Sequence, residues 1–310
     1  MAKFWRKKVV TFKIESAYGT NATPTGAANA VRAMNVSWNP MEGQDVELGH
    51  ETPWLGNQGT VVADQHATLS FELPLVGSGA AGTAPECGPV LRAMGLAQTI
   101  VASTSVTYNP ISSGFESATI QLEIDGVLFQ TVGARGDMDI VANASGIPVL
   151  MCRFTGLWVA PSDATITSPD ISNWLDPKVV SNANTPVFTI DGDDHVMRSF
   201  KLALGNDLQT RFLVGVEEIV IVDRAEMVET QIEATALSVL NPYTLAAAGS
   251  DVPIVLQHEA VAGRIVTLNV PKAKIMRPGA PTEAQGIMEW PLSFKPLPDT
   301  GNDQFTIVFT

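Results

Sequence analysis

Arg135-Gly136-Asp137 is the tripeptide by which many adhesive proteins engage integrins, and it lies in the stretch GARGDMDI that begins at Gly133. Its parts are also ordinary turn chemistry, since glycine reaches positive φ and an aspartate carboxylate bonds nearby backbone N–H groups. A turn is the reading expected here. Gly77-Ser78-Gly79-Ala80-Ala81-Gly82 has the spacing G-x-G-x-x-G, which lets a backbone approach a pyrophosphate at a helix N-terminus. Thr83-Ala84-Pro85 stands where that helix would open, and no acid between Gln98 and Val106 could hold a ribose. A flexible loop is expected instead.

Asp191-Gly192-Asp193-Asp194 carries the carboxylates of a calcium loop, but its glycine comes second rather than sixth and no glutamate closes it. It reads as a turn at a strand end. His50, His66, His195 and His258 show no metal-ligand spacing, and no nucleophile-elbow, phosphate-loop or paired-cysteine signature occurs. The two cysteines, Cys87 and Cys152, sit among apolar neighbours and are expected to be buried thiols. The acids have no convergent partners, so no acid–base pair is indicated. The expectation is a protein that is not an enzyme and needs no cofactor or metal.

Composition sets what else is open. The chain has 310 residues, 45% hydrophobic and 16% charged, enough apolar material for a large core. No apolar run approaches the roughly 18 residues of a membrane helix, and Thr11, Lys13 and Glu15 interrupt the N-terminus too early for a signal peptide. The expectation is a cytoplasmic product with no membrane partner. Net charge is −13, unevenly spread: residues 1–13 hold Lys3, Arg6, Lys7, Lys8 and Lys13 and no acid. The remainder, with 14 basic and 32 acidic residues, is at −18. Such a body lacks the cations that displace phosphate counterions, so nucleic acid would slide along it rather than bind. The basic arm suits an acidic partner, such as another copy of the chain, or is a solvated tail.

Period-two alternation dominates, as in Thr68–Leu73 and Thr119–Ile124, and Asp125-Gly126 is a strong hairpin signal. Helical periodicity is confined to Gly88–Gly95 and Asn241–Gly249, each with proline at the first turn and glycine past the end. The fold class is mainly β. The element order also recurs. A strand near Met34–Trp38 leads into a polar excursion, 41–65, then strand 67–73, helix 88–94, strands 117–132 and a last strand 147–154. A strand at 199–204 leads into excursion 205–224, then strand 228–234, helix 242–248, strands 253–270 and a last strand 287–294. Gly146-Ile147 and Gly286-Ile287 mark corresponding turns. This is the pattern of a tandem duplication. The organisation expected is an N-terminal arm 1–30, a unit 31–159, a Pro-rich linker 160–186 and a second unit 187–310.

Lys13-Ile14-Glu15-Ser16-Ala17-Tyr18-Gly19-Thr20 with Pro24-Thr25-Gly26 resembles the opening of major tail tube proteins of long-tailed, non-contractile bacteriophages. The runs Glu86–Leu96 and Ser113–Gly126, Gly133-Ala134-Arg135-Gly136, Gly146-Ile147-Pro148 and Phe154–Trp158 are similar to the same family. The resemblance covers 13–158 well; the second half agrees in layout more than in motif. It implies two tandem tube domains of β-sandwich or barrel type, each with one short helix and a long loop or hairpin. It implies a virion protein of the tail, assembled in the host cytoplasm into stacked rings around a channel for DNA ejection. Its partners would be further copies, other tail proteins at the tube ends, a tape measure protein inside, and genomic DNA in transit without specific binding. With two tube domains per chain, three chains would close a ring of pseudo-sixfold symmetry, rather than six chains carrying outer decoration domains. The channel wall would be acidic or neutral.

The residues expected to stack one ring on the next lie in the two excursions. The first offers Glu42, Asp45, Glu47, Glu51 and Asp64, with Trp54-Leu55 as an apolar anchor and no Lys or Arg. The second offers Asp207, Arg211, Glu217 and Glu218. An exposed Trp among polar residues suits a hot spot buried on association. The competing classes are a virion decoration or adhesion protein built from β-sandwich binding domains, and a β-sandwich hydrolase, for which no motif exists.

Overall fold

The computed structural model describes residues 2–165 and 167–310. The first half runs β1 (Lys8–Ile14), α1 (Gly26–Asn29), β2 (Met34–Glu47), β3 (Thr60–Pro74) and α2 (Gly88–Ala93). It continues with β4 (Leu96–Val101), β5 (Ser105–Pro110), β6 (Ala118–Ile124), β7 (Val127–Asn143) and β8 (Val149–Asp163). The second half begins with β9 (Val187–Ile190), β10 (Asp193–Asp194), β11 (Met197–Ala203), β12 (Asn206–Leu213), β13 (Val216–Arg224) and β14 (Met227–Glu233). It ends with α3 (Pro242–Ala248), β15 (Asp251–His258), β16 (Val266–Ile275), β17 (Thr282–Ala284), β18 (Ile287–Pro296) and β19 (Thr306–Phe309). The fold is mainly β, and its pairings are antiparallel.

The local chemistry explains the elements. Asp125-Gly126 takes φ values of 41° and 86°, as a two-residue hairpin turn requires. Asp191-Gly192 (58° and 88°) does the same between β9 and β10, and Gln285-Gly286 (56° and 80°) between β17 and β18. Pro89 and Pro242 open α2 and α3, and Gly249 closes α3 in the left-handed conformation.

The pairings run in the same order twice. In the first half β2 pairs with β3, β3 with β8, β8 with β7, β7 with β6 and β6 with β1. In the second, β11 pairs with β14, β14 with β18, β18 with β16, β16 with β15 and β15 with β9. The registers agree as well: Phe154 faces Leu69 and Gly136, and Phe294 faces Val228 and Ile275. Those two buried phenylalanines stand equally far beyond Gly146 and Gly286.

The halves are not separate bodies. β7 carries on past β6 and pairs with β11, and β5 pairs with β19. One hydrophobic cluster runs through both halves, from Phe12, Phe71 and Phe154 to Phe200, Trp290 and Phe294. The expected linker 160–186 begins inside β8, and residues 167–186 bury Trp174 and Val180 in the core, so that part is a packed strap rather than a loose linker. The glycine run 77–82 is likewise fixed. Gly79 N–H donates to the Gly263 carbonyl at 2.8 Å, and a methyl group at Gly77 would collide with the Gly263 backbone. Close backbone approach at Gly77 and Gly82 and a positive φ at Gly79, not loop flexibility, explain those glycines.

The N-terminal arm is also part of the body. β1 is an edge strand on β6, the Phe4 N–H donates to Asp125 at 2.7 Å, and Lys7 reaches the same carboxylate at 3.1 Å. Lys8 lies 3.5 Å above the Trp5 ring. Lys7 and the Phe4 N–H clip the chain start onto the β6–β7 turn, while Phe4 and Trp5 stay exposed.

Candidate assembly surface

Both excursions are β-hairpins. The first is the outer part of β2 and β3, with its tip at residues 48–59; the second is the two-stranded sheet β12–β13, turning at Val214-Gly215. β3 leaves β8 at the His66–Leu157 pair, and its earlier residues run toward the end of the sheet where β7 begins. β12 continues β11, which is antiparallel to β7, so the second hairpin points to that same end. The tip end of the second hairpin touches the base of the first, with the Phe212 and His66 rings 6.2 Å apart.

In the first hairpin Glu42 is held at the base, accepting from Thr68 Oγ1 at 2.5 Å and Asn39 Nδ2 at 2.8 Å, with His66 Nε2 at 3.4 Å. Asp64 has φ 56° at a register irregularity opposite Gly43, which bends the hairpin away from the sheet. Asp45, Glu47 and Glu51 face solvent. The tip is closed by reciprocal bonding between His50 and Gln58. Trp54 is 73% exposed and Leu55 fully so. The expected apolar anchor is therefore uncovered in the isolated chain.

The second hairpin lies against the first half. Arg135 Nη1 donates to the Ile219 carbonyl at 2.6 Å and Nη2 to the Phe115 carbonyl at 3.2 Å, with the guanidinium 4.9 Å from the Tyr18 ring centroid. The Tyr18 hydroxyl accepts from Ile219 N–H at 2.6 Å, and Ile219 is wholly buried. Burial raises the Tyr18 pKa, which keeps the phenol neutral. At the hairpin base Asn206 Nδ2 donates to the Met94 carbonyl and Arg224 Nη2 to the Gly95 carbonyl, just past the C-terminus of α2, and Asn206 Nδ2 also donates to the Gly136 carbonyl of β7. Burial draws the Arg224 pKa down. Arg211 and Glu218 are cross-strand partners, whereas Asp207, Arg211 and Glu217 are exposed.

The tripeptide is not in a turn. Residues 133–140 lie inside β7, and the register shifts between Val132 and Arg135, with Gly133 at φ 62°. Glu15 organises this bulge, accepting from Gly133 N–H, Gly19 N–H, Ser117 Oγ and Thr119 Oγ1 at 2.6–2.9 Å. Gly136 is small because a methyl group there would fall 2.6 Å from Phe154 Cε1. Asp137 pairs with Arg153 at 2.6 Å and accepts from Asn206 N–H. All three residues are structural, and the motif places no free tripeptide on the surface.

Sequence reasoning marked the two excursions but gave no contact role to Tyr18, Arg135, Asn206, Ile219 or Arg224. The one signal was the clustering of Glu15, Tyr18, Gly133 and Arg135 in the phrases that carry the resemblance. Cys87 and Cys152 are free and buried as expected, and burial pushes the Cys87 thiol up to about 12. Among the described residues no three His, Cys, Asp or Glu side chains gather to hold a metal. No protein-family model and no curated protein sequence matches the chain.

Proposed function

We propose that this chain is a structural subunit that assembles into stacked rings, as tail tube proteins do, with two tube units per chain and three chains per ring. The observation that carries the reading is the repeated pairing order, with a long hairpin leaving between the first two strands of each repeat toward one end. A duplicated unit in a threefold ring gives six near-equivalent positions, and fusing units pairwise favours closure over open aggregation. The net charge of −13 suits a channel through which DNA slides.

We take the register proposed for the contact between chains from the internal seam. β7 Ile140 pairs with β11 Leu202. By the phenylalanine alignment Trp38 corresponds to Leu202 and Gly279 to Ile140. Among the described residues β2 pairs with β3 alone, which leaves its other edge open. In the ring, β2 of one chain lies along residues 278–282 of its neighbour, with Ser37 opposite Ala280.

Negative-stain micrographs of concentrated protein test this reading. Hollow rods of threefold symmetry, with a disulfide between Ser37→Cys and Ala280→Cys of neighbouring chains, are expected. A chain that stays monomeric, or rings of six chains with residues 187–310 outside the barrel, would overturn it.

A further inference from the structure

In the internal seam the base of the second hairpin rests on β7. Asn206 N–H donates to Asp137 at 2.9 Å, Asn206 Nδ2 to the Gly136 carbonyl at 2.8 Å, and Arg224 Nη2 to the Gly95 carbonyl at 3.1 Å. Beside them Arg135 stands opposite Thr155. The phenylalanine alignment carries Arg135, Gly136, Asp137 and Thr155 onto Lys274, Ile275, Met276 and Lys295. Gly95 and Gly249, each at positive φ just past a short helix, correspond as well. The second half thus repeats the footprint with an acid removed and a second cation added.

Lys274 and Lys295 are direct cross-strand partners and both are exposed, while Ala273, Ile275 and Phe294 are buried. Like charges directly opposite each other destabilise a strand pair. Lys274 reaches Asp251 at 3.0 Å and the Gly249 carbonyl, but Asp251 also serves Lys272 at 3.4 Å. Among the described residues Lys295 and Arg277 pair with no carboxylate. The first hairpin is the complement, since residues 33–91 contain no Lys or Arg. Glu42 gives one oxygen to Thr68 and Asn39 and has only His66, at 3.4 Å, beside the other. Asp45 is exposed just beyond it. The register that sets Ser37 opposite Ala280 sets Pro40 opposite Arg277 and Glu42 opposite Ile275, next to Lys274. Asn206 stands in that same relation to Gly136 in the seam.

We infer that the Glu42–Asp45 base of the first hairpin in one copy docks on the Lys274–Lys295 pair of the next, with Arg277 beside it. This rests on the ring reading and names the charges that hold neighbouring chains together. The cation belongs to the hairpin in the seam and to the footprint between chains. Either hairpin on the other's footprint would bring like charges together, Arg224 against Lys274 or Glu42 against Asp137. That repulsion fixes the order in which the halves alternate around the ring.

Charge reversal tests the contact, read by sedimentation and negative stain at low and high salt. Lys274→Glu with Lys295→Glu should raise the critical concentration for assembly at least about tenfold. Glu42→Lys with Asp45→Lys should do the same, and all four changes in one chain should restore assembly. Thermal melts report which variants fold. Lys295→Glu alone removes no ion pair within its own chain and should raise the critical concentration about threefold, so it decides the matter where a double variant does not fold. Added salt should weaken assembly of the unaltered chain. Rods from a double variant at the unaltered chain's concentration overturn the charge contact and leave the ring reading standing, as does a folded quadruple variant that stays unassembled. Association that follows the charges without forming rods supports the contact and counts against rings. An unaltered chain that stays monomeric at low salt overturns both.

Discussion

The two hairpins leave equivalent strands, point to the same end and differ in what holds them. The second has its backbone clamped by Arg135 and Tyr18 and its base tied to α2 through Asn206 and Arg224. The first bends away at Asp64 and leaves Trp54 and Leu55 in solvent. Elements in equivalent places of the pairing order can thus differ, one held within the molecule and the other left in solvent.

The largest contrast should appear on removing the tip. Trp54→Ala with Leu55→Asp should abolish elongation while changing unfolding free energy by less than about 0.5 kcal/mol, as denaturant titration beside micrographs would show. Loss of both assembly and stability would mean the tip serves its own chain.

Next in size is Arg135→Ala, which leaves the Ile219 and Phe115 carbonyls unpaired. It should cost about 3 kcal/mol and speed hydrogen exchange across residues 206–224 but not across 41–65. Equal acceleration in both would erase the distinction drawn here. A Glu-specific protease sharpens it further, because both hairpins carry glutamates. Cleavage after Glu51 should precede cleavage after Glu217 or Glu218, read by mass spectrometry of the first fragments.

Glu226, at the base of the second hairpin, is buried with one carboxylate oxygen unpartnered, and burial raises its pKa. Glu226→Gln should therefore stabilise the protein at neutral pH by about 1 kcal/mol. The smallest effect is in pH dependence. Burial lowers the pKa of His195 and of His258 below the ordinary 6.5. The unfolded chain then binds more protons, so their contribution is full above pH 6.5 and declines as pH falls toward the folded values. Thermal melts from pH 8 to 5 should show this slope, and replacing both rings with Phe should flatten it.

Much of the fold was legible because alternation, two-residue turns and capped short helices are local signals. Asp125-Gly126 and Pro242–Gly249 behave as their residue types dictate. The strand character of the excursions was hidden, since Val46, Val61 and Val62 are all exposed and a strand with two wet faces shows no alternation. The Arg135 clamp was illegible for another reason: its partner Ile219 lies far along the chain, and backbone carbonyls as acceptors leave no trace in side-chain type. Residues 160–186 look like a linker by composition, yet Trp174 and Val180 hold them down.

The pairing of β19 with β5 joins residues separated by nearly two thirds of the chain, Ile307 opposite Tyr108. Contacts of such long sequence separation form late, because loop closure must precede any gain from them. Until Thr306–Phe309 docks, the strand Ser105–Pro110 presents an open edge, a template on which another nascent chain can pair. Refolding yield should therefore fall with protein concentration during that interval, and a short soluble peptide matching Phe305–Thr310 should restore it by filling the edge first.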